Sequence, residues 1–193
     1  MKRLLFIFFI LISTNSFCQI QSDKSWSLSI QHDFDLLSKQ KIDTFLVYYT
    51  YLGPWTNLPK SYNGIPSVCV LWKKNNKYFA RNLICDSVTT NNTKIISSRP
   101  FDYFLNQKKD FKFRDRFYSM LRKEHKFLPP IPTDGSWEYL YFMTTKSHIY
   151  LYLSEHQRTD DIWKEYKWIK PTIDVIDVTK TEINNTKSES PSP

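Results

Sequence analysis

Apolar and polar positions alternate with a period of two along several stretches of this chain, and that spacing predicts strands. In residues 43–52, Phe45, Val47, Tyr49 and Tyr51 fall on one side, and Leu46, Tyr48 and Leu52 on the other. Neither side is polar, so this strand is expected in the middle of a sheet with both faces covered. Residues 66–87 predict a hairpin: Val68, Val70 and Trp72 alternate with Cys69, Leu71 and Lys73. Lys74-Asn75-Asn76-Lys77 supplies its turn, because asparagine tolerates positive φ. Residues 93–97 add a short strand. A second hairpin occupies 136–153, turning at Lys146-Ser147. Its first strand sets Trp137, Tyr139, Tyr141 and Met143 against Leu140 and Phe142. Its second sets His148, Tyr150 and Tyr152 against Ile149, Leu151 and Leu153. The Ile/Leu side is the expected core side, which leaves a row of tyrosines on the other.

Helical spacing separates and follows these strands. Ile30, Phe34 and Leu37 predict a helix over 31–40 after a short extended entry at Trp26. Pro100 suits a first helical turn, followed by Phe101, Phe104 and Leu105. Phe113, Phe117, Met120 and Leu121 form a second stripe that ends near His125, ahead of Pro129-Pro130. Asp160 or Asp161 caps a short helix in which Ile162, Tyr166 and Ile169 share a face. Residues 172–178 alternate weakly and are expected as an edge strand, where Asp174 and Asp177 discourage further pairing. Residues 180–193 are rich in Asn, Lys, Ser and Pro and predict a disordered tail. The expected fold is α+β: a mainly antiparallel sheet of about five to seven strands with two or three helices packed on one face, in one domain over residues 19–179.

The N-terminus changes the expected compartment. Lys2 and Arg3 precede an unbroken apolar run over residues 4–12, then a short polar region reaches Cys18. A run of that length is too short to span a bilayer, which takes about 20 residues. The pattern is that of a secretory signal peptide over residues 1–18, and it places the mature chain in the periplasm or outside the cell. A lipid anchor at Cys18 is the weaker alternative, since Phe17 is bulky for a lipidation signal. No second hydrophobic run of that kind follows. In an oxidising compartment Cys69 and Cys85 are the expected disulfide. A two-residue turn at Asn75-Asn76 would set Cys69 opposite Asn82, so that bond needs a longer loop or a bulge.

Aromatic residues make up 17% of the chain, which argues for a packed core rather than disorder. The formal net charge is +8, falling to +6 once Lys2 and Arg3 leave with the signal. Most of it lies in one segment, where Lys108, Lys109, Lys112, Arg114, Arg116, Arg122, Lys123 and Lys126 outnumber Asp110, Asp115 and Glu124. Such a basic face serves solubility, or docks an anionic surface. The loop over 53–66 breaks regular structure with glycine and proline and carries Trp55 and Tyr62, where a binding site is often mounted.

The chain has no GxSxG, P-loop, HExxH, CxxC or dinucleotide fingerprint, and no cofactor or metal is expected. The leading expectation is therefore an exported, non-enzymatic binding or interaction module. Its ligand-binding residues would be Trp55, Tyr62, Tyr150 and Tyr152, and its partners a glycan, an anionic surface or another protein. The alternative is a small exported hydrolase using His156, Glu155 and Asp160. His156 and Asp160 are four apart and would meet on a helix.

Overall fold

The structure is a computed structural model that describes residues 32, 35–37, 39–40, 42, 44–52, 67–84, 93–111, 136–144 and 148–187. Its strands are β1 (Thr44–Leu52), β2 (Ser67–Lys74), β3 (Lys77–Ile84), β4 (Lys94–Ile96), β5 (Ser136–Thr144) and β6 (His148–Ser154). They form one antiparallel sheet in the order β4-β3-β2-β1-β5-β6. Its helices are α1 (Arg99–Asn106), α2 (Glu155–Thr159), α3 (Asp161–Lys164) and α4 (Ile169–Lys187). The fold is α+β, as the spacing predicts.

β1 is central because neither of its faces can be left in water. Leu46 and Val47 point to opposite sides and both are 0% exposed. β5 pairs along the whole of β1, from Thr44↔Thr144 to Leu52↔Ser136. On the other side β2 pairs with it, with Tyr48 facing Cys69.

The Asn75-Asn76 turn holds both asparagines at positive φ, 51° and 59°, the conformation of a type I′ hairpin. The turn sets the register from Lys74↔Lys77 through Cys69↔Asn82 without a bulge. That corrects the disulfide expectation. Cys69 is a buried thiol, and no disulfide forms among the described residues. The register leaves Cys69 across from Asn82, three positions short of Cys85, which itself lies outside the described residues.

The sheet separates two apolar layers. On one face Leu46, Leu71, Leu140, Phe142, Leu151 and Leu153 pack against Phe101, Phe104, Phe111, Trp163, Trp168, Val175 and Ile176 from the helical segments. Phe104 stacks on Phe142 at 4.4 Å between ring centroids and lies 4.9 Å from Phe111. Helices thus cover one face, as expected. On the other face Phe45, Val47, Tyr49, Val68, Val70, Trp72 and Leu83 pack with Leu37 and Ile42. Two residues placed on core stripes by spacing face solvent instead, Leu105 and Ile162.

The C-terminal part of the chain departs most from its sequence reading. Residues 172–178, expected as an edge strand, are helical, and the expected tail is helical through Lys187; residues 188–193 lie outside the described residues. The buried side of α4 runs Thr172, Val175, Ile176, Thr179, Glu182, Ile183, a 3.6-residue period. Threonines occupy two of these positions and blur the apolar pattern. Their hydroxyls are hidden by donating to the preceding turn, Thr172 Oγ1 to the Trp168 carbonyl and Thr179 Oγ1 to the Val175 carbonyl, both 2.7 Å. Glu182 is held by the Ser97 hydroxyl at 2.7 Å and the Ser97 N–H at 3.3 Å, which ties the helix to the end of β4. Packing on the sheet outweighs the weak helix propensity of a segment rich in Thr, Val, Ile and Asp.

Candidate functional site

The hairpin β5–β6 and the neighbouring β1 gather aromatic rings on the face opposite α1–α4, where the helical residues 35–37 bring Leu37 against the sheet. Alternation points Trp137, Tyr139 and Tyr141 of β5 the same way as Tyr150 and Tyr152 of β6 and Tyr49 and Tyr51 of β1. The register then puts Tyr139 between Tyr49 and Tyr152, and Tyr141 opposite Tyr150. The rings form a continuous row. Trp137 and Tyr152 lie 5.7 Å apart, Tyr150 and Tyr152 6.0 Å, Tyr141 and Tyr150 4.3 Å, and Tyr139 and Tyr150 5.7 Å. Tyr49 continues it, stacked 4.9 Å from Tyr139. Tyr49 is buried and serves as the inner end, while Trp137, Tyr139, Tyr141, Tyr150 and Tyr152 remain partly exposed. Each ring offers an apolar face and each tyrosine a hydroxyl, the combination that suits a sugar ring or a flat polar ligand.

A polar brace lies directly behind this row. Glu138 sits between Trp137 and Tyr139 on β5, so it points to the helical face. Its Oε1 accepts from the Tyr48 hydroxyl at 3.0 Å and from Lys180 Nζ at 2.8 Å. Its Oε2 accepts from Arg158 at 2.7 Å. Arg158 also reaches both Asp177 oxygens, at 2.8 and 3.1 Å. One carboxylate therefore joins β1, β5, α2 and α4 and holds the strand that bears the aromatic row. Burial, reinforced by Glu138, pushes the Tyr48 phenol far above the ordinary tyrosine range. Burial works against the Arg158 charge, but Asp177 and Glu138 outweigh it and its pKa lies above the ordinary value.

α2 is placed by a capping box. Ser154 Oγ accepts from the Gln157 N–H at 3.3 Å, and Gln157 Oε1 accepts from the Ser154 N–H at 3.0 Å. The Ser-x-x-Gln spacing of residues 154–157 is legible in the sequence once β6 is known to end at Ser154.

The structure brings together some of the residues singled out by sequence. Tyr150 and Tyr152 lie in the aromatic row. Trp55 and Tyr62 lie outside the described residues. Lys108 and Lys109 are helical, the first partly exposed and the second exposed; Lys112, Arg114, Arg116, Arg122 and Lys123 lie outside the described residues, as does Cys18. His156 Nδ1 and Asp160 Oδ2 approach to 3.5 Å, each side chain about half exposed, and Glu155 is exposed beside them. This is a surface pair across one helical turn. Among the described residues no group of three or more His, Cys, Asp or Glu side chains could hold a metal ion, and no helix is long and apolar enough to cross a membrane. The chain matches no protein-family model and no curated protein. Sequence reasoning missed Tyr49 as a member of the row, and Glu138 as its brace. The contacts join strands about 90 positions apart, and no local spacing encodes that register.

Proposed function

We propose that the protein is an exported, non-enzymatic binding module whose ligand is a neutral glycan, gripped by the exposed end of the aromatic row. The observation that supports this reading is the run of partly exposed rings from Trp137 through Tyr152, Tyr150 and Tyr141. Rings held against one another on two paired strands lose little side-chain freedom on binding, and a sugar can lay its C–H face on them. The Glu138 brace keeps the strand in place without itself reaching that face. Export is supported by the N-terminal pattern over residues 1–18.

The test is retention of the full mature chain on immobilised oligosaccharides. Trp137→Ala and Tyr152→Ala should each weaken binding by about threefold to tenfold, in line with one aromatic contact. Tyr152→Phe should retain most of it. A wild-type protein that retains no neutral glycan sinks the reading. So does binding only to polyanions, abolished by salt and by charge reversal at Lys108 and Lys109, which would move the ligand to the basic segment.

A further inference from the structure

On the opposite face of the sheet, α4 does not close completely over β1, β2 and β3. A cavity of about 220 Å³ remains there. Tyr48, Tyr49 and Thr50 of β1 line it from the sheet with Ser67, Cys69 and Asn82, and Lys180, Ile183 and Asn184 come from α4. Cys69 is 5% exposed and Asn184 is exposed, so the cavity runs inward from the C-terminal turns of α4. At roughly 30 Å³ per water it has room for about seven waters, well below the roughly 300 Å³ at which drug-sized sites begin.

We propose that this cavity is a binding site for a small neutral polyol, up to the size of one sugar ring. Charge selects against ions of either sign. The Lys180 ammonium, the charged group of the lining, is already matched by Glu138 at 2.8 Å, so it presents little net charge to a ligand. The Tyr48 hydroxyl is committed to the same carboxylate. The amides of Asn82 and Asn184 and the hydroxyl of Ser67 make no side-chain hydrogen bond among the described residues. Two amides and a hydroxyl offer donors and acceptors together, which is what a ligand with several hydroxyls requires. The buried Ile183 side chain supplies an apolar wall for the carbon skeleton. Tyr49 is shared with the aromatic row, but the exposed rings from Trp137 to Tyr141 are not part of this lining.

Nitrogen-15 NMR titration of the full mature chain with erythritol and with glucose tests the site. The expected result is saturable shifts at Ser67, Cys69, Asn82 and Asn184 that Trp137→Ala leaves unchanged. Asn184→Ala, at an exposed helical position, should weaken binding about fivefold, the effect of one hydrogen bond. Ser67→Leu, which fills the cavity, should abolish the shifts. Sucrose is too large for the cavity and serves as the osmotic control. Alkylation of Cys69 gives a second readout: at about ten times its dissociation constant, a bound polyol should slow the reaction about tenfold. Absence of shifts, shifts equal with sucrose, or tighter binding of sulfate than of either polyol would overturn the proposal.

Discussion

Replacing Glu138 by glutamine tests whether one carboxylate braces the sheet against its helices. The substitution keeps the shape of the side chain and can keep one oxygen facing the Tyr48 hydroxyl and Lys180. The amide NH2 then replaces Oε2 and confronts Arg158, donor against donor. Removing one partner of a buried ion pair costs about 3–5 kcal/mol. Here the environment is milder. The Glu138 side chain is 13% exposed and that of Arg158 23%, and Arg158 keeps its fork on Asp177. Lys180, with 42% of its side chain exposed, regains water and contributes little. The loss should therefore be about 2 kcal/mol, or roughly 4–8 °C in Tm for a chain of this size. Urea unfolding followed by circular dichroism measures it. Pairing the change with Arg158→Met should give a combined loss smaller than the sum of the single losses, because the unpaired guanidinium is gone in the double variant. A loss under about 0.5 kcal/mol for Glu138→Gln, or strict additivity with Arg158→Met, would refute the brace.

Other outcomes follow from particular residues. Asn75→Val puts a β-branched side chain at φ 51° and should cost about 1–2 kcal/mol in denaturant unfolding. Ser154→Ala removes the cap of α2 and should cost about 1 kcal/mol by the same measurement. Phe104→Ala empties a fully buried position between Phe142 and Phe111 and should cost about 3–5 kcal/mol. Burial first, and then its 2.8 Å bond to Asp174, push the Tyr103 phenol up to about 12. The folded state thus holds that proton more tightly than the unfolded chain, whose tyrosines titrate near 10. The stability linked to Tyr103 is complete below about pH 10 and is lost as pH rises towards 12. Tyr103→Phe should flatten that alkaline decline, and an unchanged slope would show that the phenol is not linked to folding.

By itself the sequence determined the strands and their faces. The two-sided apolar pattern of residues 44–52 requires burial on both sides, and β1 is central for that reason. Asn75-Asn76 marks the turn, but its length was left open by the sequence; the structure makes it two residues and sets Cys69 against Asn82, which the expected disulfide could not accommodate. The tyrosines at 150 and 152 declare a shared face by alternation alone. Tertiary structure decided the rest, because the information is nonlocal. The pairing of β1 with β5 brings Tyr49 to Tyr139 and Tyr48 to Glu138, and no window of neighbouring residues contains that register. Local preference made residues 172–187 look like strand and tail. Only against the sheet do Val175, Ile176 and Ile183 find cover, so that a weakly apolar segment forms α4. The cavity has the same origin, since it is the space left where that helix meets a strand face from far earlier in the chain.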